Sequence, residues 1–137
     1  MKPVLAVGMM RTKRIVVDKA RTIGFMGEAL RVYATPSMVL DVENFCKDLL
    51  VEYLTPEQSS VGTHVAIDHL GPTLAGMWVN ITVTVSGVEG RKVSFEIEVR
   101  DALDLVGTAK HVRFVIDLAK QKQRLEAKAV KLARLTQ

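Results

Sequence analysis

Apolar and polar positions change their period several times along the chain. Residues 14–18 (Arg-Ile-Val-Val-Asp) read as a short strand. Residues 19–34 keep no period, and Gly24 and Gly27 mark them as a loop or irregular lid. The period then becomes helical. Met38, Val39, Val42, Phe45, Cys46, Leu49, Leu50, Tyr53 and Leu54 recur at spacings of three and four, a broad apolar face sustained to Leu54. Thr35-Pro36 predicts the start, with Thr35 as N-cap and Pro36 at the first helical position, where a missing N–H costs nothing. Pro56 lies just past the end.

Four strand-like runs follow. Within 60–69, Val61, Thr63, Val65 and Ile67 alternate with polar or small residues. Residues 77–86 are rich in branched and aromatic side chains. Val88-Glu89-Gly90 predicts a turn into 91–100, where Val93, Phe95, Ile97 and Val99 share a face. A second turn at 101–104 leads into 105–118. From Ala119 the chain reads as a polar, basic helix with Leu118, Leu125, Ala129 and Leu132 as a thin apolar stripe. Sequential strands joined by short turns are expected to be antiparallel neighbours. One long amphipathic helix beside such a sheet makes a two-layer α+β domain, with the helix wrapped by a curved antiparallel sheet in the hot-dog arrangement. No repeat, low-complexity block or linker interrupts the chain, so 1–137 is expected to form one domain, with 119–137 as a helical tail.

Composition narrows the class. With 137 residues and 48% hydrophobic side chains, the chain can bury a core without disulfide or metal. Cys46 is the single cysteine, which fits a reducing compartment and a cytoplasmic location. The first ten residues are too briefly apolar for a signal peptide, and no run approaches the roughly 18 apolar residues of a membrane span. Residues 1–116 hold thirteen Lys/Arg and thirteen Asp/Glu, whereas 117–137 hold six basic and two acidic residues. The basic excess therefore belongs to the tail, where a solvated helix face is the ordinary explanation.

Candidate chemistry centres on Glu43. Helical spacing from Val39, Cys46 and Leu50 sets this carboxylate on or beside the buried stripe, where it must be paired, protonated or useful. Thr35 as N-cap needs no functional explanation, although a helix N-terminus also faces carbonyl oxygens or anions well. His69 ends a strand just before Gly71-Pro72, a position usually held by a solvated or structural histidine; His64 and His111 call for the same caution. No metal-ligand spacing, phosphate loop, GxGxxG or GxSxG elbow occurs, so no metal or cofactor is expected.

Taken together, Thr35, Glu43, the run Gly62-Thr63-His64-Val65-Ala66-Ile67-Asp68-His69, the Val88-Glu89-Gly90-Arg91 turn and Arg113 resemble the fluoroacetyl-CoA thioesterase-like branch of the hot-dog superfamily. The pattern is Thr-x7-Glu on the central helix and Gly-Thr-x5-His on the next strand, and the likeness runs from about residue 29 to residue 116. The resemblance implies an acyl-CoA thioester hydrolase whose catalytic set falls on Thr35, Glu43 and His69. Gly62 would offer its backbone to the thioester carbonyl or the CoA arm, and Arg113 would lie close to bound substrate. On chemical grounds Glu43 would attack the carbonyl or activate a water. His69 would move the proton, and Thr35 would hydrogen-bond Glu43 or orient the water. The segment before the threonine carries Ala29 and Met26 where the fluoroacetate-resistance member has an aromatic lid, so a less fluoroacetyl-specific acyl preference is expected.

The resemblance also implies a homodimer with the active site shared between subunits, and a higher oligomer is compatible with it. An open sheet edge gives the same expectation on physical grounds. The competing reading is a non-catalytic hot-dog domain that binds acyl-CoA or serves assembly, because fold does not fix function. A nucleic-acid arm built on the basic tail is disfavoured by the lack of aromatic platforms, and neither nucleic acid nor membrane is expected as a partner.

Overall fold

The structure, a computed structural model, describes residues 4–136; residues 1–3 and Gln137, the ends of the expected domain and tail, lie outside the described residues. Strand β1 (Met10–Val16) is followed by the short strands β2 (Thr22–Ile23) and β3 (Val32–Tyr33) and then by helix α1 (Thr35–Val51). Strands β4 (Gln58–His69), β5 (Trp78–Glu89), β6 (Lys92–Arg100) and β7 (Leu105–Asp117) precede helix α2 (Leu118–Leu135).

The predicted periods produce the two layers. On β5, Val79, Ile81, Val83 and Val85 point inward, and on β6 so do Val93, Phe95, Ile97 and Val99; all eight are buried. Helix α1 lays Met38, Val42, Cys46, Leu49 and Leu50 over them. Full burial of such side chains contributes about 1.5–3 kcal/mol each, so packing rather than helix propensity holds α1 on the sheet. Regular helix ends at Val51, before the expected Leu54, and the chain leaves through a turn in which Tyr53 N–H donates to the Leu50 carbonyl at 2.9 Å.

Strand order corrects one expectation. The main sheet runs β1-β5-β6-β7-β4 and its pairs are antiparallel, so β4 lies beside β7 and not beside β5. Chain proximity dictates pairing only across a tight turn. Gly90, at φ 59°, provides one between β5 and β6, where a side chain is rarely tolerated. Asp101 holds the other, accepting from Leu103 N–H at 2.9 Å and Asp104 N–H at 2.8 Å. Residues 70–77 instead carry the chain across the sheet. On the way they meet the lid, where Tyr33 N–H donates to the Thr73 carbonyl at 2.8 Å.

As a result β4 forms one edge of the sheet, twelve residues long and largely exposed along its middle. A register shift between Gly62 and His64 puts a bulge in it. Helix α2 buries none of its side chains, and its leucines 118, 125, 132 and 135 are all exposed. No helix among the described residues is long and apolar enough to cross a membrane.

Candidate functional site

Thr35 is the first residue of α1; Ala34 is the N-cap and Pro36 the second helical residue. The expected cap is therefore corrected, because no side chain caps this helix. The Thr35 hydroxyl lies instead 2.7 Å from His69 Nδ1, at the end of β4. The structure thus gives Thr35 a histidine partner and not the Glu43 partner considered from sequence. The other ring nitrogen, Nε2, is buried without a hydrogen-bond partner among the described residues. Buried polar atoms are nearly always satisfied, so this one is an unfilled valence at the site. Burial pushes the His69 pKa down, only partly offset by the backbone of Gly71, and the ring is neutral at pH 7.

The mounting of this pair was not legible in the pattern. Tyr33 is fully buried and sets its ring edge-on to His69, with centroids 6.3 Å apart at 74°. Its hydroxyl donates to Asp41, which also accepts Arg21 Nε at 3.0 Å. Ala34 N–H donates to the Arg21 carbonyl at 2.8 Å. The buried Asp41 carboxylate thus ties the lid to α1, and the Arg21–Ala34 bond holds the chain immediately before Thr35. Asp41 lies three residues after Met38 and one before Val42, so the rule that singled out Glu43 applied to it with equal force.

A second group gathers at mid-helix. Glu43 is half-buried on α1, beside the β4 bulge. A methyl carbon built on Gly62 would lie 3.3 Å from Glu43 Oε2, 3.3 Å from Arg113 Nη1 and 3.1 Å from His111 Cε1. A side chain here would press on all three, so these side chains converge closely beneath exposed backbone. Arg113 is buried; its Nε donates to Ser60 Oγ at 2.8 Å and its Nη2 to the Ser60 carbonyl at 2.9 Å. Burial pushes its pKa down, while Cys46 and Glu43 draw it back up. Burial also pushes the Cys46 thiol up to about 12, so it holds its proton and is no nucleophile at neutral pH.

The predicted residues thus fall into two groups. Thr35 meets His69, whereas Glu43 meets Gly62 and Arg113. Eight residues of helix separate Thr35 from Glu43, a rise of about 12 Å, and seven residues of strand separate Gly62 from His69, about 23 Å. No hydrogen bond or ion pair among the described residues joins Glu43 to Thr35 or His69. Ala29 lies in a short 3-10 turn (Glu28–Leu30) and is exposed. Met26, three residues earlier, is 48% exposed, and the aromatic Phe25 is 81% exposed. Among the described residues no three His, Cys, Asp or Glu side chains gather as metal ligands.

Comparison with known proteins points one way. The family model for the fluoroacetyl-CoA-specific thioesterase FlK matches residues 6–119. A fluoroacetyl-CoA thioesterase from Streptantibioticus cattleyicolor is 32% identical over 127 residues, covering 88% of this chain and 91% of the relative. A crystal structure of FlK carrying one substitution superposes with a TM-score of 0.83 at 31% identity, covering 93% of this chain and 99% of the other. A thioesterase superfamily member from Thermus thermophilus superposes with a TM-score of 0.85 at 25% identity, covering 98% and 99% of the two chains.

Proposed function

This chain belongs to the fluoroacetyl-CoA-specific thioesterase family and is a thioester hydrolase of hot-dog fold, and from that premise we propose that Thr35, His69 and Glu43 cleave acyl-CoA thioesters in a site completed by a second copy of the chain. The observation that carries this reading is the Thr35–His69 bond together with the buried, partnerless Nε2. A general base needs a group that orients its far nitrogen, and within one protomer none is in place.

An antiparallel β4–β4 pairing between two protomers supplies it. If residues whose numbers sum to 131 stand opposite, His69 of one protomer comes against the partner's Gly62. The partner's Gly62 and the partner's Glu43 beneath it then face the His69 end of the strand. This pairing also covers an edge strand whose backbone groups otherwise invite unwanted association. A related FlK structure was solved in complex with fluoroacetate and CoA, and the CoA thioester is the substrate class proposed for this chain.

The chemistry follows from the placement. A water oriented by Thr35 bonds its oxygen to the thioester carbon as one of its protons passes to neutral His69, and the partner's Glu43 stabilises the imidazolium that forms. The oxyanion develops near Gly62 and the Arg113 cation, where each aligned donor contributes about 3 kcal/mol. The carbon–sulfur bond then breaks, the acyl group leaves as the carboxylic acid, and the CoA thiolate takes the proton from His69. Because Ala29 and Met26 provide no aromatic gate, acetyl- and fluoroacetyl-CoA are expected to be turned over within roughly tenfold of each other.

The test is thiol release from short, branched, aromatic and fluorinated acyl-CoAs, by wild type and Glu43→Gln side by side. Turnover of at least one class, with a loss of about a hundredfold or more in the variant, is the expected result. A wild type that binds acyl-CoA and hydrolyses none of the panel would overturn this reading in favour of a binding or assembly domain. A preference of many thousandfold for the fluorinated substrate would overturn the specificity statement.

A further inference from the structure

We propose that His111 is a positioning residue of the hydrolase site: it fixes Arg113 and the Gly62 bulge in the arrangement that receives the thioester. The inference rests on the thioesterase reading for its consequence in turnover, but not for its geometry.

His111 lies on β7, two residues before Arg113, and is fully buried. Its Nδ1 is 2.7 Å from the His64 carbonyl. A carbonyl only accepts, so Nδ1 carries the proton, and a neutral ring then leaves Nε2 as an acceptor. Arg113 Nη1 donates to it at 3.3 Å. The ring lies nearly parallel to Phe95, at 25° with centroids 6.3 Å apart. Its Cε1 is the atom nearest to the space a Gly62 side chain would need.

One imidazole therefore acts on both sides of the oxyanion region. Through His64 it clamps the strand just past the bulge that displays Gly62. Through Arg113 it supplies the third neutral acceptor of a buried cation, whose other two acceptors both belong to Ser60. No carboxylate lies within ion-pair distance of Arg113 among the described residues. Neutral acceptors therefore decide where its charge points, and the loss of one leaves a buried donor unmet.

The groups around His111 agree with a neutral ring. Arg113 faces it from β7, Glu43 and Cys46 stand on α1, His64 lies on β4, and Phe95 on β6 does not titrate. Burial lowers its pKa and Arg113 lowers it further, against the opposing pull of the His64 carbonyl and Glu43. A second proton on the ring would set N–H against N–H and turn Arg113 away.

Two substitutions test the proposal. His111→Gln keeps a donor for His64 and an acceptor for Arg113, whereas His111→Phe keeps only the stacking on Phe95. In the Phe variant kcat per folded site is expected to fall by about 10- to 100-fold, the scale for loss of an outer partner. The Arg113 Nε–H resonance in NMR spectra should broaden or move. The Gln variant should keep the resonance and stay within about threefold of wild-type kcat. Combined with Arg113→Met, the Phe substitution should add less than about twofold, because its effect passes through Arg113.

An unmoved Arg113 resonance in the Phe variant, a Gln variant as impaired as Phe, or fully additive losses would each overturn the proposal. A Phe variant that does not fold leaves the Gln variant to decide, through retention or loss of both readouts. A wild type inactive on every acyl-CoA would overturn the functional reading, while the resonance would still decide the role of His111.

Discussion

The two ends of the site are built in opposite ways. At the helix N-terminus, Thr35 and His69 form a neutral pair with one nitrogen left open. At mid-helix, the cation Arg113 is fastened by three hydrogen-bond acceptors beneath exposed glycine backbone. The first end is unfinished and the second is closed. The unpaired nitrogen leaves the first end able to take a further hydrogen bond, whereas the buried cation already has its acceptors. Under the proposed strand pairing the two halves are complementary, each facing the other half of a second copy.

The largest expected effect breaks or confirms that complementarity. Glu43→Gln and His69→Ala should each lose about a hundredfold or more in kcat. Mixed and allowed to exchange, they should recover about a quarter of wild-type activity. Half of the dimers are then hybrids, and each hybrid carries one site with both residues intact. No recovery from dimers shown to have exchanged would place both residues in one protomer's site. A fully active monomer in sedimentation would end the shared-site proposal altogether.

A middle-sized effect sharpens the difference between the halves. Gly62→Ala would press a methyl onto His111, Arg113 and Glu43, with its closest contact at 3.1 Å. These neighbours must give by tenths of an ångström, and kcat/KM should fall by roughly tenfold. Because the proposed pairing sets the partner's Gly62 against His69, the NMR signals of His69 should move as well. Wild-type kinetics would show that the close approach carries no function.

The smallest effect is on stability against pH. His69 and His111 both have folded pKa values lowered from 6.5, burial being the largest cause. The unfolded chain binds protons at these positions as pH falls through about 6.5, while the folded chain still resists. Stability from this source is therefore level above about pH 7 and declines below about 6.5. Urea midpoints between pH 8 and 5 should show this slope, and His69→Asn and His111→Gln should each remove part of it. Parallel curves for all three proteins would contradict the assignment.

Part of the site was legible in the chain because it rests on short spacings. Glu43 beside the buried face of α1, and Gly62 and His69 on one strand, follow from periods of 3.6 and 2 and from the quoted motif. Asp41 obeyed the same spacing and went unread, although its partners Arg21 and Tyr33 lie on the aperiodic lid. His111 gave no usable signal, because a histidine alternating with apolar residues on a strand looks like any core position. Only the approach of Ser60, His64 and Arg113 distinguishes it.

The sequence by itself determined α1 and the four strands after it, the inward faces of α1, β5 and β6, and the β5–β6 hairpin, but not that the first strand starts at Met10 or that the lid holds the paired strands β2 and β3. Each of the determined features depends on neighbours a few residues apart, so the pattern is complete within a short window. Tertiary structure decided that β4 lies at the sheet edge beside β7, that Thr35 meets His69 rather than capping its helix, and that Arg113 is held by Ser60 and His111. Those contacts join residues from two to more than fifty positions apart. Which of many eligible partners a side chain meets is set by how the two layers pack, and local spacing carries no record of that choice.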